Sequence, residues 1–286
     1  MRIRFIINPI AGEGKQKGIE SEISKHFNNY DIFYTKKAGD ASIISKKATL
    51  ENINAIVAIG GDGTLNECLK SLVNTKTALG VIPCGSGNGF AYHIGMKKNI
   101  KKAIEQLKYA KIINIDSCTV NRIPFMNIAG IGFDAKIAKL FSQSIKRGFL
   151  KYVKLILKEL MYNPQEYTIT YNGNTRKIKA YMISFANTSQ YGNNIKIAPT
   201  ANIQDGLLDF VIVKEFPRWN IPFFLFQVAI GKAYLSRYVE IIKCKKMEIT
   251  SSDTLLHLDG EPFIASSPII INLFEDSLKI LKPHEK

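Results

Sequence analysis

The hydrophobic pattern of this chain changes period once, near residue 112, and that change limits the folds open to it. Before it, short apolar runs alternate with segments of helical period. "IRFIINP" (3–9), "YDIFYT" (30–35), "INAIVAIG" (53–60) and "TALGVIP" (77–83) read as strands. Between them lie a Gly/Lys loop opening a helix to about 27, "GDASIISKKATL" with Asp40 as its N-cap, and "LNECLKSLV" (65–73). "IKKAIEQLKYA" (100–110) follows the fourth strand. Repeated strand–helix alternation predicts a parallel, doubly wound α/β sheet. Ligands of such sheets bind at the carboxyl ends of the strands. Asn8, Gly60–Thr64 and Pro83–Gly89 all fall there.

After residue 112 strands follow one another: "KIINIDSCTVN", "IPFMNIAGIG", "EYTITYNG", "TRKIKAYMISFANT", "GLLDFVIVKEF", "KKMEITS", "LLHLDGEPF" and "SPIIINLF". Their alternation, with an Asn172-Gly173 turn, predicts an antiparallel β-sandwich. One basic helix, about 135–162, interrupts it. "LKILKP" (278–283) is a last short strand in a position to return to the first domain. The expected division is an α/β domain over 1–118, joined by about 277–286, and a β-sandwich domain over 119–276.

With 46% hydrophobic and 22% charged residues, the chain has enough apolar side chains for a core in each domain. Lys and Arg outnumber Asp and Glu by 39 to 24, a formal net charge of +15. That suits an anionic membrane surface, a polyphosphate or plain solubility. Basic runs interleaved with aromatics are absent, so no nucleic acid partner is expected. The four cysteines (Cys68, Cys84, Cys118, Cys244) make no CxxC pair and read as reduced, buried thiols. No signal peptide is recognised, and "WNIPFFLFQVAIG" (219–231) is too short to span a bilayer. The expectation is a cytoplasmic protein, soluble or peripheral to the membrane.

"GGDGT" (60–64) carries the strongest local signal. Its glycines are expected to take positive φ and bring amides close to an anion, just before a helix N-terminus. A carboxylate there, Asp62, needs a cation or an attacking hydroxyl beside the phosphates. Thr64 and Glu67 are spaced as a capping box, which gives Glu67 a structural reading beside a functional one. "PCGSGNGFAYHIG" (83–95) repeats the glycine-rich pattern, with Ser86 and Asn88 as short polar groups; His93 reads as a packed helix residue. "NPIAGEGK" (8–15) is not a Walker A loop, because Pro9 stands at the first glycine and Gln16 follows Lys15. Backbone contact of this loop to a nucleotide stays open, with Lys15 as a solvated side chain the alternative.

In the second half, Asp205-Gly206 reads as a turn before a strand. Asp259 and Glu261 are two apart, so an extended chain would point them the same way; a hairpin turn is the competing reading. One of them is a candidate general base. "SIKRGFLKYVKLILKEL" (144–160) interleaves Lys146, Arg147, Lys151, Lys154 and Lys158 with apolar residues, as an interfacial helix does. "PFFLF" (222–226) is a second such segment. A helix packed on the sandwich would give both patterns.

"INPIAG", "GGDGTLNE", "PCGSGNGFA", "IDSCTVN", "NIAGIGFDA", "APTANIQDGLLDFVIV" and "HLDGEPF" together resemble the diacylglycerol-kinase-like lipid kinases. This is the soluble bacterial group similar to the catalytic cores of sphingosine and ceramide kinases. The likeness runs over nearly the whole chain. It implies an NAD kinase/phosphofructokinase-like ATP-binding domain, a β-sandwich substrate domain and a cleft between them, with ATP and Mg²⁺ as cofactors. It implies nucleotide contacts at Asn8, Thr35, Gly60, Gly61, Asp62, Gly63, Thr64, Leu65, Asn66, Glu67, Gly85, Ser86 and Asn88. Asp62 would organise Mg²⁺–ATP and Asp116 would meet the lipid headgroup. Asp205, with the carbonyls of Asn202 and Leu207, would form a structural Mg²⁺ site. Glu261 would be the proton acceptor, with Asp259 beside it.

The implied activity is transfer of the ATP γ-phosphate to a lipid hydroxyl, such as that of diacylglycerol, at a membrane surface, by a monomer or homodimer. One departure concerns the acceptor. Diacylglycerol-type members read G-T-x-N-D-F in the second loop, whereas this chain reads Gly85-Ser-Gly-Asn-Gly-Phe90, a sphingosine-kinase-like pattern. Sphingosine-, ceramide- or phosphatidylglycerol-type acceptors therefore stay open. An NAD kinase shares the "GGDGT" turn, and a non-catalytic nucleotide- or lipid-binding regulator is the non-enzymatic alternative.

Overall fold

The computed structural model describes residues 1–14, 16, 18–144, 148–192 and 195–284. Lys15, Lys146 and Arg147, singled out above, lie outside the described residues. The chain divides into two compact units, 1–117 with 275–286, and 118–274.

The first unit opens with β1 (Ile3–Ile7), α1 (Ile19–His26), β2 (Tyr30–Tyr34), α2 (Asp40–Leu50), β3 (Ala55–Gly60), α3 (Asp62–Leu69) and β4 (Ala78–Pro83). α4 (Gly89–His93), α5 (Ile100–Lys108) and β5 (Lys111–Val120) follow. The strands pair in parallel in the order β2–β1–β3–β4, with Phe5 opposite both Ile32 and Val57. β1, β3 and β4 are buried along their whole length, which is why they read as unbroken apolar runs rather than alternating ones. α1 packs with α5 and α2 with α3. Strand order reverses between β1 and β3, where open α/β sheets leave a crevice for ligands.

The second unit comprises β6 (Ile123–Phe125), β7 (Ile128–Gly132), α6 (Phe133–Ser142), α7 (Phe149–Lys158), β8 (Gln165–Tyr171), β9 (Asn174–Ala186) and β10 (Leu208–Lys214). It continues with α8 (Ile221–Ala229), β11 (Val239–Cys244), β12 (Lys246–Thr250), β13 (Leu255–Leu258), β14 (Glu261–Ile264) and the start of β15 (Ile269–Lys282). The long strand β9 pairs with β8 over its first half, and with β7 and β10 over its second. A core of Phe125, Tyr167, Ile183, Phe185, Phe210, Met247, Leu256 and Ile271 fills the β-sandwich. Both halves of the expected fold class are thus present.

Five local expectations change. The helix expected over 135–162 is two helices: the first ends at Ser142, and Gly148, at φ 132°, ψ 161°, stands at the start of the second. "IPFMNIAGIG" is two strands, broken where the amides of Met126, Asn127 and Ile128 turn to Asp259. "LLHLDGEPF" is a hairpin, not one extended strand. "SPIIINLF" and "LKILKP" belong to a single strand, β15, whose Ile280 pairs in parallel with Leu79 of β4. β11 was not foreseen. The four cysteines are free and buried, and burial pushes Cys68 up to about 12.

Candidate active site

In the first unit, the loops after β1, β2, β3 and β4 are tied to one another. Asn8, just past β1, donates from Nδ2 to Thr64 Oγ1 at 3.0 Å and accepts the Ile10 amide at Oδ1. Thr35 follows β2, is buried, and donates its amide to the Ile7 carbonyl at 2.9 Å. Asp62 Oδ2 accepts the Asn88 amide at 2.8 Å. Asn88 in turn bridges the Gly85 amide and carbonyl, at 2.9 and 2.7 Å. The structure therefore gathers Asn8, Thr35, the 60–67 segment, Gly85 and Asn88 at one end of the sheet. Ser86 is exposed there, and Asn66 Oδ1 is buried without a hydrogen-bond partner among the described residues.

The glycines act differently from expectation. None of Gly60, Gly61 and Gly63 has positive φ. Close approach is what Gly61 and Gly85 provide: a Cβ on Gly85 would lie 2.5 Å from the Gly61 Cα, and one on Gly61 3.2 Å from the Gly85 Cα. Two loops touch backbone to backbone there, which Gly85 above all makes possible.

The expected caps are also redistributed. Gly61, not Thr64, is the N-cap of α3, so the Thr64–Glu67 capping box does not form. Thr64 lies inside the first turn, and its hydroxyl serves Asn8. Glu67 instead reaches across to α2, where Oε1 accepts the Gly39 amide at 2.9 Å and Oε2 the Ala41 amide at 3.1 Å. Asp40 does not cap its own helix; its carboxylate accepts the amides of Lys36 and Lys37. A carboxylate from α3 thus satisfies orphan donors at the start of α2. Asp116, on β5, is 2% exposed and accepts the Asp276 amide at 3.1 Å. His93 is shifted down to about 4 by burial and by Lys282, and so stays neutral.

In the second unit, Asp259 (φ 50°) and Gly260 (φ 86°) form a two-residue turn between β13 and β14. Positive φ at both positions is the hairpin geometry that Asp-Gly favours. The turn sends the two carboxylates to different environments. Asp259 is buried and accepts three amides, Met126, Asn127 and Ile128, at 2.9–3.1 Å. Burial pushes its carboxyl up to about 6, against the pull of those amides and of His257. Glu261 is exposed and makes no hydrogen bond or ion pair among the described residues. Asp259 therefore anchors the turn, and the Glu261 carboxylate is turned out to solvent.

A buried cluster supports that turn, and its residues had no assigned role in the sequence. His257 accepts the Gly260 amide at Nδ1 (3.3 Å), which leaves Nε2–H to donate to Asp134 Oδ2 at 3.1 Å. The same oxygen accepts Ser184 Oγ and Tyr191 Oη at 3.1 and 3.0 Å. A Cβ on Gly130 would lie 2.2 Å from Asp134 Oδ2, so the "AGIGFDA" glycine makes room for this carboxylate. "HLDGE" and "GFDA" were visible motifs; that His257 and Asp134 meet across 123 positions was not.

At the Asn202, Asp205 and Leu207 set, a lysine stands beside the Asp205 carboxylate. Lys243 Nζ lies 3.3 Å from Asp205 Oδ2, 3.1 Å from Asp209 Oδ1 and 3.2 Å from the Thr200 carbonyl. Asp205 Oδ1 accepts the Leu207 amide, and Asn202 Oδ1 the Gln204 amide. Burial works against the Lys243 charge, but Asp209 and Asp205 outweigh it and hold its pKa above the ordinary lysine value. Of the three groups in the set, the ammonium meets the Asp205 carboxylate. No cluster of three or more His, Cys, Asp or Glu suited to a metal occurs among the described residues. At Asp62 the fit is better, since magnesium that travels with a nucleotide commonly needs only one or two protein carboxylates. Asp62 is partly exposed at the N-terminus of α3.

Two family profiles divide the chain between them. "Diacylglycerol kinase catalytic domain" matches residues 2–120, and "YegS C-terminal NAD kinase beta sandwich-like domain" matches 127–282. The chain belongs to the diacylglycerol-kinase-like lipid kinases. A diacylglycerol kinase of Bacillus subtilis (strain 168) is 28% identical over 299 residues, covering 100% of this chain and 97% of its own. One from Staphylococcus carnosus (strain TM300) is 26% identical over 271 residues, covering 91% and 88%. A diacylglycerol kinase structure from Bacillus anthracis str. Sterne superposes with a TM-score of 0.76 at 22% identity, covering 98% of this chain and 96% of that one, and shares the fold. Family membership makes the chain an enzyme of the kinase class.

Proposed function

We propose that this kinase transfers the γ-phosphate of ATP to a hydroxyl of a membrane lipid such as diacylglycerol. The observation that carries the reading is the placement of Gly60–Glu67. This segment sits at the carboxyl end of β3, where strand order reverses between β1 and β3, with its carboxylate at a helix N-terminus and its loop braced by Asn8 and Asn88. A braced loop of backbone amides suits phosphates, and phosphoryl transfer depends mostly on positioning and charge neutralisation. Mg²⁺ bound with the nucleotide would neutralise phosphate charge, with Asp62 as its protein carboxylate.

Glu261 takes the proton from the acceptor hydroxyl. That oxygen forms the new bond to the γ-phosphorus, the bond to the β–γ bridging oxygen breaks, and ADP leaves. Asp259 and His257 hold the turn that presents Glu261. Two relatives named diacylglycerol kinase support that acceptor. The glycine at position 89, where diacylglycerol-type members carry aspartate, favours a sphingosine-, ceramide- or phosphatidylglycerol-type acceptor as a second reading.

The test is labelled-ATP transfer in mixed micelles against diacylglycerol, monoacylglycerol, phosphatidylglycerol, sphingosine, ceramide and NAD. Label in one lipid is expected, with Glu261→Gln about 10²–10⁴-fold slower and thermally unchanged. Label in NAD and in no lipid overturns the reading, as does nucleotide binding without any transfer.

A further inference from the structure

α8 is apolar all round, "IPFFLFQVA", with Gln227 as its one polar residue, yet none of its residues is buried. A helix of that composition belongs inside a core or in lipid. Trp219 before it is 80% exposed, Phe223 and Phe226 are 62% and 59% exposed, and Leu235 beyond it is 62% exposed. The exposure is not that of a loose segment. Phe224 stacks on Phe216 with centroids 5.2 Å apart, Phe216 packs on Tyr181 and Tyr238, and Asn220 donates to Tyr238 Oη at 2.8 Å. One side of the helix is anchored and the other is presented.

The flanks are cationic. Arg218, Lys232 and Arg237 are exposed, and the sequence carries no acidic residue between Glu215 and Glu240. Arg218 donates to Asn163 Oδ1 at 2.9 Å, which joins this segment to the stretch that follows α7. Along α7 and just past it Leu150, Leu157 and Met161 are exposed, as are Lys151, Lys154 and Lys158. Aromatic and aliphatic groups ringed by cations are the composition of an interfacial anchor.

We infer that the Arg218–Arg237 segment is a wedge that inserts into the headgroup region of an anionic bilayer, with the outer face of α7 lying against the same surface. Charge selects this occupant. A second copy would bring another chain of net charge +15, whereas anionic lipid attracts it. No helix among the described residues is long and apolar enough to cross a membrane, so the segment lies in the interface. The purpose of the wedge rests on the lipid-acceptor reading, but its test needs neither nucleotide nor turnover.

Trp219 is the only tryptophan, so the wedge carries its own probe. The experiment mixes the full chain with vesicles of phosphatidylcholine alone, or with phosphatidylglycerol added, each also with bromine-labelled acyl chains. Expected are a blue shift and bromine quenching of Trp219 on the anionic vesicles only, both weakened by salt. Phe223→Ser with Phe226→Ser should bind those vesicles at least about tenfold more weakly, with unchanged melting and unchanged turnover on a dispersed acceptor. Unquenched Trp219 on vesicles that do bind the protein overturns the inference. So does a double variant that binds as the wild type does, or a concentration-dependent dimer that the double variant abolishes. Failure here with intact lipid phosphorylation would leave the kinase reading standing.

Discussion

Glu67 offers a sharp division between a structural and a nucleotide-binding role. Its two oxygens accept the amides of Gly39 and Ala41 at the start of α2, at 2.9 and 3.1 Å. Glu67→Ala removes both acceptors and leaves the Gly39 and Ala41 amides to be met by water. Losing an N-cap costs about 0.5–2 kcal/mol, and a hydrogen bond to a charged group contributes about 1.5–3 kcal/mol. Because the site is only part-buried, water recovers some of this, and ~2–3 kcal/mol is expected. At about 2–4 °C per kcal/mol the melting temperature should fall by ~4–12 °C. Glu67→Gln keeps one acceptor and should lose about half as much. The assay is circular dichroism melting without nucleotide, paired with KM for ATP on the folded variants at 20 °C below their transitions. A Glu67→Ala protein that melts within about 1 °C of wild type, yet loses most of its kcat/KM for ATP, would refute the cap and return Glu67 to the nucleotide.

Two further predictions concern the second unit. Asp259 has its carboxyl raised to about 6 from an ordinary 3.8, so the folded state holds the proton more tightly than the unfolded one. Its contribution is full below about pH 4 and is lost as pH rises through about 6, a decline of up to ~3 kcal/mol. Urea unfolding of wild type and Asp259→Asn at pH 4, 5, 6 and 7 should show wild type losing up to ~3 kcal/mol relative to the variant over that window; a constant difference would contradict the assignment. Lys243→Met leaves the fully buried Asp209 without its cation. With Lys243 about one-third exposed, a loss of ~2 kcal/mol is expected. EDTA or millimolar Mg²⁺ should leave the wild-type melting curve in place, and a rise of several degrees with Mg²⁺ alone would show that the ammonium does not fill the Asp205 site.

What the sequence disclosed follows from the range of each interaction. β1, β3 and β4 are buried on both faces, so their apolar runs announced a parallel sheet and its carboxyl-end loops. The Asp259-Gly260 turn was legible as one of two readings, because backbone angles near +50° and +86° are a local matter of residue type. Partners far apart in sequence were not legible. Glu67 caps a helix 28 positions upstream, and its spacing from Thr64 imitated a local cap that Gly61 supplies instead. His257 and Asp134 meet only because β13 pairs with β7, ahead of α6. The helical period over 135–162 hid a division into two helices, and β11, half-exposed along most of its length, lacked a clear alternation.

β15 begins in the second unit and ends in the first, where it lies against β4. Unit 1 therefore takes its fifth parallel strand from the far end of the polypeptide. During synthesis, residues 1–117 emerge with β4 as an open edge whose amides and carbonyls wait through the translation of about 150 further residues. Cleavage near residue 275 would likewise act on the first unit, although the cut lies in sequence beside the sandwich. An α/β unit expressed as 1–117 alone would carry that exposed edge permanently and would be prone to pair with itself, whereas a circular permutant that moves 275–284 ahead of Met1 would supply the strand first.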